Sequence, residues 1–264
     1  MSAAKPRARV CLVDGSGFIF RAYHALPPLS RPDGTPVGAV MGFCNMVARL
    51  IESHAGDRIA IVFDTSRVSF RNAIYPQYKA HRPDPPEDLV PQFALVRDAT
   101  RAFDLPAIEL AGYEADDLIA TYARLAVEAG DDVVIVSSDK DLMQLVRPGV
   151  AMLDPIKQKT IGEAEVVEKF GVKPDRVVDV QSLAGDSTDN VPGVPGIGVK
   201  TAAELINAFG DLDTLLARAS EIKQPKRREN LIANAELARV SRQLVRLKDD
   251  VDVPLPLEAL TLKR

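Results

Sequence analysis

Carboxylates stand directly behind three apolar runs in this chain. Asp14 follows RVCLV (9–13), Asp64 follows RIAIVF (58–63), and Asp139 and Asp141 follow VVIVSS (133–138). Glu114, Asp116 and Asp117 open an amphipathic stretch, and Asp186 and Asp189 sit in the short loop GDSTDN (185–190). Short, continuously apolar runs read as buried parallel strands. Ligands of open α/β sheets collect at the carboxyl ends of such strands. Carboxylates delivered there from separate strands repel one another strongly, and divalent cations are their natural neutraliser. Oxygen donors without histidine or cysteine suit Mg²⁺ or Mn²⁺ rather than zinc. Two such ions, about 4 Å apart, activate water and stabilise the leaving oxygen of a phosphodiester.

Each element also has an ordinary structural reading. Acidic residues favour helix starts, and Asp-Gly after a strand is common turn chemistry. Two further segments point towards nucleic acid. In VPGVPGIGVKT (191–201), Gly193, Gly196 and Gly198 let a backbone approach a phosphate, Lys200 adds charge beside Thr201, and a helix follows over Ala202–Phe209 whose N-terminus favours an anion. The spacing is not that of a Walker A loop, since Val199 separates Gly198 from Lys200. Gly15-Ser-Gly17 likewise lacks the third glycine of a dinucleotide fingerprint. The stretch with Arg67, Arg71, Tyr75, Tyr78, Lys79, His81 and Arg82 interleaves cations with tyrosines, a pattern suited to stacked bases and phosphates. Tyr78, Lys79 and Arg82 would share one turn if the segment is helical, with Pro76 and Pro83 limiting its length.

Strands at Arg9–Val13, Arg58–Phe63 and Val133–Ser137 must position these groups, with weaker ones at Ala107–Leu110 and Val150–Leu153. Helices fit Val37–Glu52, with Val40, Cys44, Val47 and Ile51 on one stripe, and Ala115–Glu128, with Leu118, Ile119, Tyr122, Leu125 and Ala126 inward. The alternation predicts an α/β fold around a mostly parallel sheet. From about Glu163 helical patterns dominate. Leu26–Pro36 reads as a mobile loop, and Arg67–Pro91 as basic and proline-broken.

The 264 residues suffice for a sizeable core, and no apolar run reaches a membrane span. Met1–Arg9 is short and basic and lacks the apolar region of a signal peptide. Cys11 and Cys44 lie in apolar stretches without metal spacing, as reduced core thiols of a cytoplasmic protein would. The net charge of −4 argues against DNA binding at first sight, but setting aside the nine carboxylates above leaves +5, compatible with a basic surface around an acidic site.

Five stretches together resemble one family: VDGSGFIFRAYHA (13–25), VFDTSRVSFRNAIYPQYKAHRP (62–83), GYEADDLIATYAR (112–124), SSDKDLMQLV (137–146) and LAGDSTDNVPGVPGIGVKTA (183–202). In order and wording they are similar to the 5′-nuclease domain of bacterial DNA polymerase I, within the flap endonuclease superfamily. The resemblance implies a nuclease core over residues 1–180 with an arch or clamp at about 67–105. It also implies a helical DNA-binding region over 181–264 with a helix–three-turn–helix. One metal would be held mainly by Asp14, Asp64, Glu114, Asp116 and Asp117, and another by Asp139, Asp141, Asp186 and Asp189. Lys79 and Arg82 would steer the scissile phosphate, and Tyr78 would stack on a base. Arg21, Arg71 and the glycine loop with Lys200 and Thr201 would contact DNA, the loop often with a potassium ion. The implied activity is metal-dependent hydrolysis of DNA at nicks, flaps and free 5′ ends, by a monomer continuous with polymerase domains. A free-standing nuclease, a PIN-like ribonuclease and a non-catalytic DNA-structure-binding module are the alternatives. The extended VDVPLPL (251–257), with Glu258–Arg264 stopping just after it, favours the front part of a longer polymerase.

Overall fold

The computed structural model describes residues 7–54 and 56–262. The basic Met1–Pro6 and the terminal Lys263–Arg264 lie outside the described residues. Six strands form one sheet in the order β3-β2-β1-β4-β5-β6: β1 (Arg9–Asp14), β2 (Arg58–Val62), β3 (Ala107–Ile108), β4 (Asp132–Val136), β5 (Val150–Asp154) and β6 (Lys159–Ile161). All pairings are parallel except β5 with β6. Both faces of the sheet are covered, which is why its strands lack alternation. Val10, Leu12, Val133 and Ile135 face one apolar cluster, and Cys11, Val13, Ile59 and Ile61 face the other. The free thiol of Cys11 is buried there, and that burial pushes its pKa up to about 12.

The second face carries α1 (Gly15–Ala25), α2 (Gly38–His54) and, after the five-residue α3 (Phe70–Ile74), the helix α4 (Val90–Ala102). The sequence pattern missed α1, whose glycine start reads as a turn. The buried stripe of α2 is rotated from the expected one: Ala39, Phe43, Val47 and Leu50 are inside, whereas Val40, Cys44 and Ile51 are half-buried. Residues 26–36, expected to be a mobile loop, fold back on themselves through Arg31 N to Thr35 O (2.9 Å) and Val37 N to Leu29 O (2.8 Å). Residues 76–82 are successive turns, not a helix, because Lys79 sits at φ +55°. That left-handed conformation is uncommon for a residue with a side chain.

On the first face lies α5 (Ala115–Glu128), with Leu118, Ile119, Tyr122 and Ala126 buried and Leu125 half-buried. Beyond the sheet the chain is helical: α6 (Glu163–Phe170), α7 (Val177–Ala184), α8 (Val199–Phe209), α9 (Leu212–Ala217), α10 (Pro225–Ala233) and α11 (Ala235–Val245). The segment after α11 runs back along α5. Asp117 accepts from Lys248 N (2.9 Å), Arg124 donates to Asp249 O (2.7 Å), and Tyr122 donates to Leu255 O (2.8 Å). Thr261 then bridges to Arg58 at the start of β2. Side chains at intervals along α5 thus satisfy backbone groups of this strand-like segment before it reaches β2.

Leu118 is fully buried between α5 and the sheet. Leu118→Ala should lower unfolding free energy by about 2–5 kcal/mol, read as an earlier urea midpoint with an unchanged slope.

Candidate active site

The sheet reverses its winding direction at β1, whose neighbours are β2 and β4. The carboxyl ends of β1 and β4 flank the crevice that such a reversal opens. A pocket of about 220 Å³ sits there. Eight carboxylates from five segments line it: Asp14, Asp64, Glu114 with Asp116, Asp139 with Asp141, and Asp186 with Asp189. Lys79, Arg82 and Arg71 share the lining, and neither histidine nor cysteine does.

Local hydrogen bonds aim these side chains. Asp14 caps α1 by accepting from Gly17 N (2.8 Å), while its other oxygen accepts from Ser137 Oγ (2.8 Å). A Cβ at Gly17 would come within 2.5 Å of that carboxylate, so the approach needs glycine. Asp64 accepts from Ser16 Oγ (2.6 Å) and from Ala115 N (2.8 Å) at the start of α5. Asp141 accepts from Gln181 Nε2 on α7, and the buried Oε1 of that amide has no hydrogen-bond partner among the described residues. In the loop 185–191, Asp186 and Val191 pair their backbones (2.9 and 2.8 Å). Gly185, at φ +68°, could not carry a Cβ, which would stand 2.5 Å from Val191 O.

Charge divides the pocket in two. Glu114 pairs with Lys79 and faces Arg71 at 3.5 Å; Asp189 pairs with Arg82, and Asp186 with Lys140. Burial pushes the Glu114 carboxyl upward, but Lys79 and Arg71 outweigh it and hold its pKa below the usual range. Burial would likewise depress Lys79, yet Glu114 and Asp189 raise it above an ordinary lysine. On the other side, burial lifts Asp14 to about 6, with Asp139 and Asp64 adding repulsion. Burial and Asp139 lift Asp141 to about 7. Asp116 is raised well above normal by burial, then by Asp139, Asp14 and Asp64. Among the described residues no three acidic, histidine or cysteine side chains form a ready-made coordination set. The all-oxygen donors, the mutual repulsion and the orphaned amide oxygen beside Asp141 nevertheless fit hard divalent cations rather than any softer metal.

Several expected residues sit elsewhere or do something else. Asp117 does not line the pocket; it is 0 % exposed behind the wall, fully engaged by Arg71 and by two backbone N–H groups. Arg71, expected to touch DNA, is only 1 % exposed and serves that ion pair. Tyr78, expected to offer a stacking face, is 4 % exposed and packs with Val191, Leu244 and Val245, its hydroxyl 3.3 Å from Glu114 Oε2. Arg21 lines a separate cavity between α1, α2 and β5, with Asn45 and Arg49. Gly193, Gly196, Gly198, Lys200 and Thr201 lie in the α7–α8 connection and the first turn of α8 and are not among the residues that line the pocket. Gly193 is buried, its N–H donating to Ser241 Oγ (2.9 Å), while Lys200 is exposed. Sequence reasoning passed over Ser16, Ser137, Lys140 and Gln181. Lys140 could have been found between Asp139 and Asp141; Gln181 carries no local signal. Phe20, 42 % exposed at the pocket rim, was also missed.

Comparison with known proteins finds matches over residues 9–264. Residues 9–171 match the family described as 5′-3′ exonuclease, N-terminal resolvase-like domain, and residues 172–264 match 5′-3′ exonuclease, C-terminal SAM fold. A DNA polymerase I of Rhizobium leguminosarum is 59 % identical over 260 residues, covering 96 % of this chain and 26 % of that protein. The chain thus spans about a quarter of that relative's length. A 5′-3′ exonuclease of Aquifex aeolicus is 37 % identical over 253 residues, covering 96 % of this chain and 86 % of that protein. Among solved structures, a zinc-bound T5 5′-exonuclease superposes with a TM-score of 0.78 at 24 % identity, covering 91 % of this chain and 90 % of that one. The flap endonuclease-1 of Methanococcus jannaschii gives 0.54 at 18 % identity, covering 89 % and 78 %.

The raised carboxyls set a pH dependence of stability without metal. Asp14 and Asp141 bind protons more tightly folded than unfolded, so their contribution is complete below the ordinary aspartate value of 3.8 and is lost as pH rises through about 6 to 7. Asp141→Asn should flatten the fall in Tm between about pH 4 and 7 in EDTA. An unchanged slope in differential scanning calorimetry would contradict the assignment.

Proposed function

The chain belongs to the 5′-3′ exonuclease family, whose members are nucleases, and from that premise we propose that it hydrolyses DNA phosphodiesters next to a free or flapped 5′ end with divalent cations held in the acidic pocket. The observation that carries this reading is the meeting of eight carboxylates with Lys79 and Arg82 in one pocket at the sheet's carboxyl edge. Asp14, Asp64, Glu114 and Asp116 would hold one Mg²⁺ or Mn²⁺, and Asp139, Asp141, Asp186 and Asp189 another. When bound, such ions supply an activated water and stabilise the departing oxygen.

The chain's own residues do the rest. Lys79 remains cationic because Glu114 and Asp189 hold its pKa up, so it stabilises phosphate charge and does not act as a base. Arg82 stands at the exposed rim and can turn towards an incoming phosphate. Hydrogen bonds from Lys79 N to Asp189 O (2.9 Å) and from Asn190 Nδ2 to Gln77 O (2.7 Å) fix the basic turn against the acidic loop. Lys200, on the first turn of α8, would meet duplex backbone at a distance from the chemistry.

The division of labour follows: a nuclease core to about residue 180, with residues 67–105 beside the reacting strand, and a helical region from 181 that grips duplex. Relatives named DNA polymerase I, of which this chain matches about a quarter, support a nuclease unit that works as part of a longer polymerase. Among the described residues no helix is long and apolar enough to cross a membrane.

A labelled 5′-flap duplex should be cut with Mg²⁺, left intact in EDTA, and left intact by Asp139→Asn; undiminished cutting by that variant would refute the metal assignment. Lys79→Ala should slow single-turnover cleavage by about a hundredfold or more while barely altering affinity. Lys200→Ala should weaken binding and reduce its salt slope by about one phosphate contact. Normal cleavage with weakened binding in Lys79→Ala would assign that lysine to binding alone.

A further inference from the structure

We infer that Arg71 and Asp117 form a buried lock that holds the segment Leu244–Lys248 as a wall of the pocket, and that Asp117 is a positioning residue and not a metal ligand. The first argument is saturation. Each carboxylate oxygen accepts two hydrogen bonds at full capacity. Asp117 Oδ1 accepts from Arg71 Nη2 (2.7 Å) and Lys248 N (2.9 Å); Oδ2 accepts from Arg71 Nη1 (2.7 Å) and Glu114 N (3.1 Å). No lone pair is left to face the pocket. Its neighbour Asp116 points into the pocket and makes no ion pair among the described residues.

The second argument is what the arginine does with its remaining donors. Arg71 Nε donates to Leu244 O (2.7 Å), and Nη2 donates also to Arg246 O (3.1 Å). The fork-to-fork pair therefore fastens alternate carbonyls of the segment, while Asp117 takes the N–H of Lys248. Gln144 fastens the other side, with Nε2 donating to Val245 O (3.0 Å) and Oε1 accepting from Leu247 N (3.1 Å). Between these clamps Leu244, Val245 and Leu247 line the pocket, and Leu244 and Val245 cover the ring of Tyr78, whose hydroxyl faces Glu114. The segment thus sets the position of the Tyr78–Lys79 turn relative to Glu114. An ion pair this deep, with planar bidentate geometry, specifies register more than it adds stability.

The proposal rests on the nuclease reading for what the pocket does, but the lock is measured without substrate. Hydrogen exchange of the amides in 244–251 and calorimetric Mn²⁺ binding are compared for wild type, Asp116→Asn, Asp117→Asn and Gln144→Ala, followed by single-turnover cleavage. Asp117→Asn should speed exchange in 244–251 and slow cleavage, with Mn²⁺ affinity and stoichiometry unchanged. Asp116→Asn should weaken Mn²⁺ binding by about tenfold or more, as losses of metal-site groups do, with exchange unchanged. Should Asp117→Asn fail to fold, Gln144→Ala tests the same wall from its other clamp: faster exchange at 245–247 and slower cleavage with unchanged Mn²⁺ affinity. Loss of Mn²⁺ binding in Asp117→Asn with protected 244–251 amides would overturn the inference, as would normal cleavage in Gln144→Ala with those amides exchanging freely. A wild-type protein that cuts no flap would instead count against the nuclease reading and leave the exchange and Mn²⁺ comparisons to judge the lock.

Discussion

Negative charge concentrated at one edge of the sheet has to be balanced, and each group that balances it also ties two parts of the chain together. Lys79 joins the basic turn to the start of α5 through Glu114, and Arg82 joins the same turn to the loop 185–191 through Asp189. Lys140 links the end of β4 to that loop through Asp186. Arg71 joins α3 to α5, to the last turn of α11 and to the segment after it. Removing a partner from such pairs leaves an uncompensated buried charge, which is far costlier than the pair is stabilising. The pocket is consequently one place where the α/β part and the helical part of the molecule are fastened to each other, beside the apolar cluster they share.

Its two halves behave differently for the same reason. Carboxylates near a cation keep low proton affinity, as Glu114 and Asp186 do, whereas Asp14, Asp116 and Asp141 are lifted by burial and then by carboxylate neighbours, Asp139 being common to all three. A site of this kind holds stored repulsion that a divalent ion would relieve on binding. The serines at positions 16 and 137 matter here because they direct carboxylate oxygens inward without adding charge.

Much of this arrangement was legible in the sequence, because strand ends fix where a following side chain goes. Asp14, Asp64, Asp139 and Asp141 were placed by that rule alone, and eight of the nine expected carboxylates share the pocket lining. Asp117 could not be told from Asp116 by pattern, since neighbouring positions on a helix differ by about a hundred degrees and only the fold decides which one faces inward. Arg71 and Tyr78 were misread for a related reason: a cation or an aromatic in a basic stretch looks exposed until its partner is known, and theirs lie 46 and 36 residues away. The turn at Lys79 was also hidden, because a lysine has no local preference for the left-handed backbone it adopts there, where its N–H donates to the distant Asp189 O.

The path of the chain after α11 bears on how the molecule reaches this state. Residues 244–262 close the pocket wall and return to β2, making hydrogen bonds across 131 positions to Asp117 and 173 to Arg71. Contacts so distant along the chain carry a large loop-closure cost and form late. During synthesis the sheet, α1 to α5 and the first carboxylates can therefore assemble while Arg71 and Asp117, already facing each other, still have backbone groups of residues 244–248 to receive. Until those residues emerge, the acidic crevice is bounded on one side by solvent, and their docking completes the wall of the site.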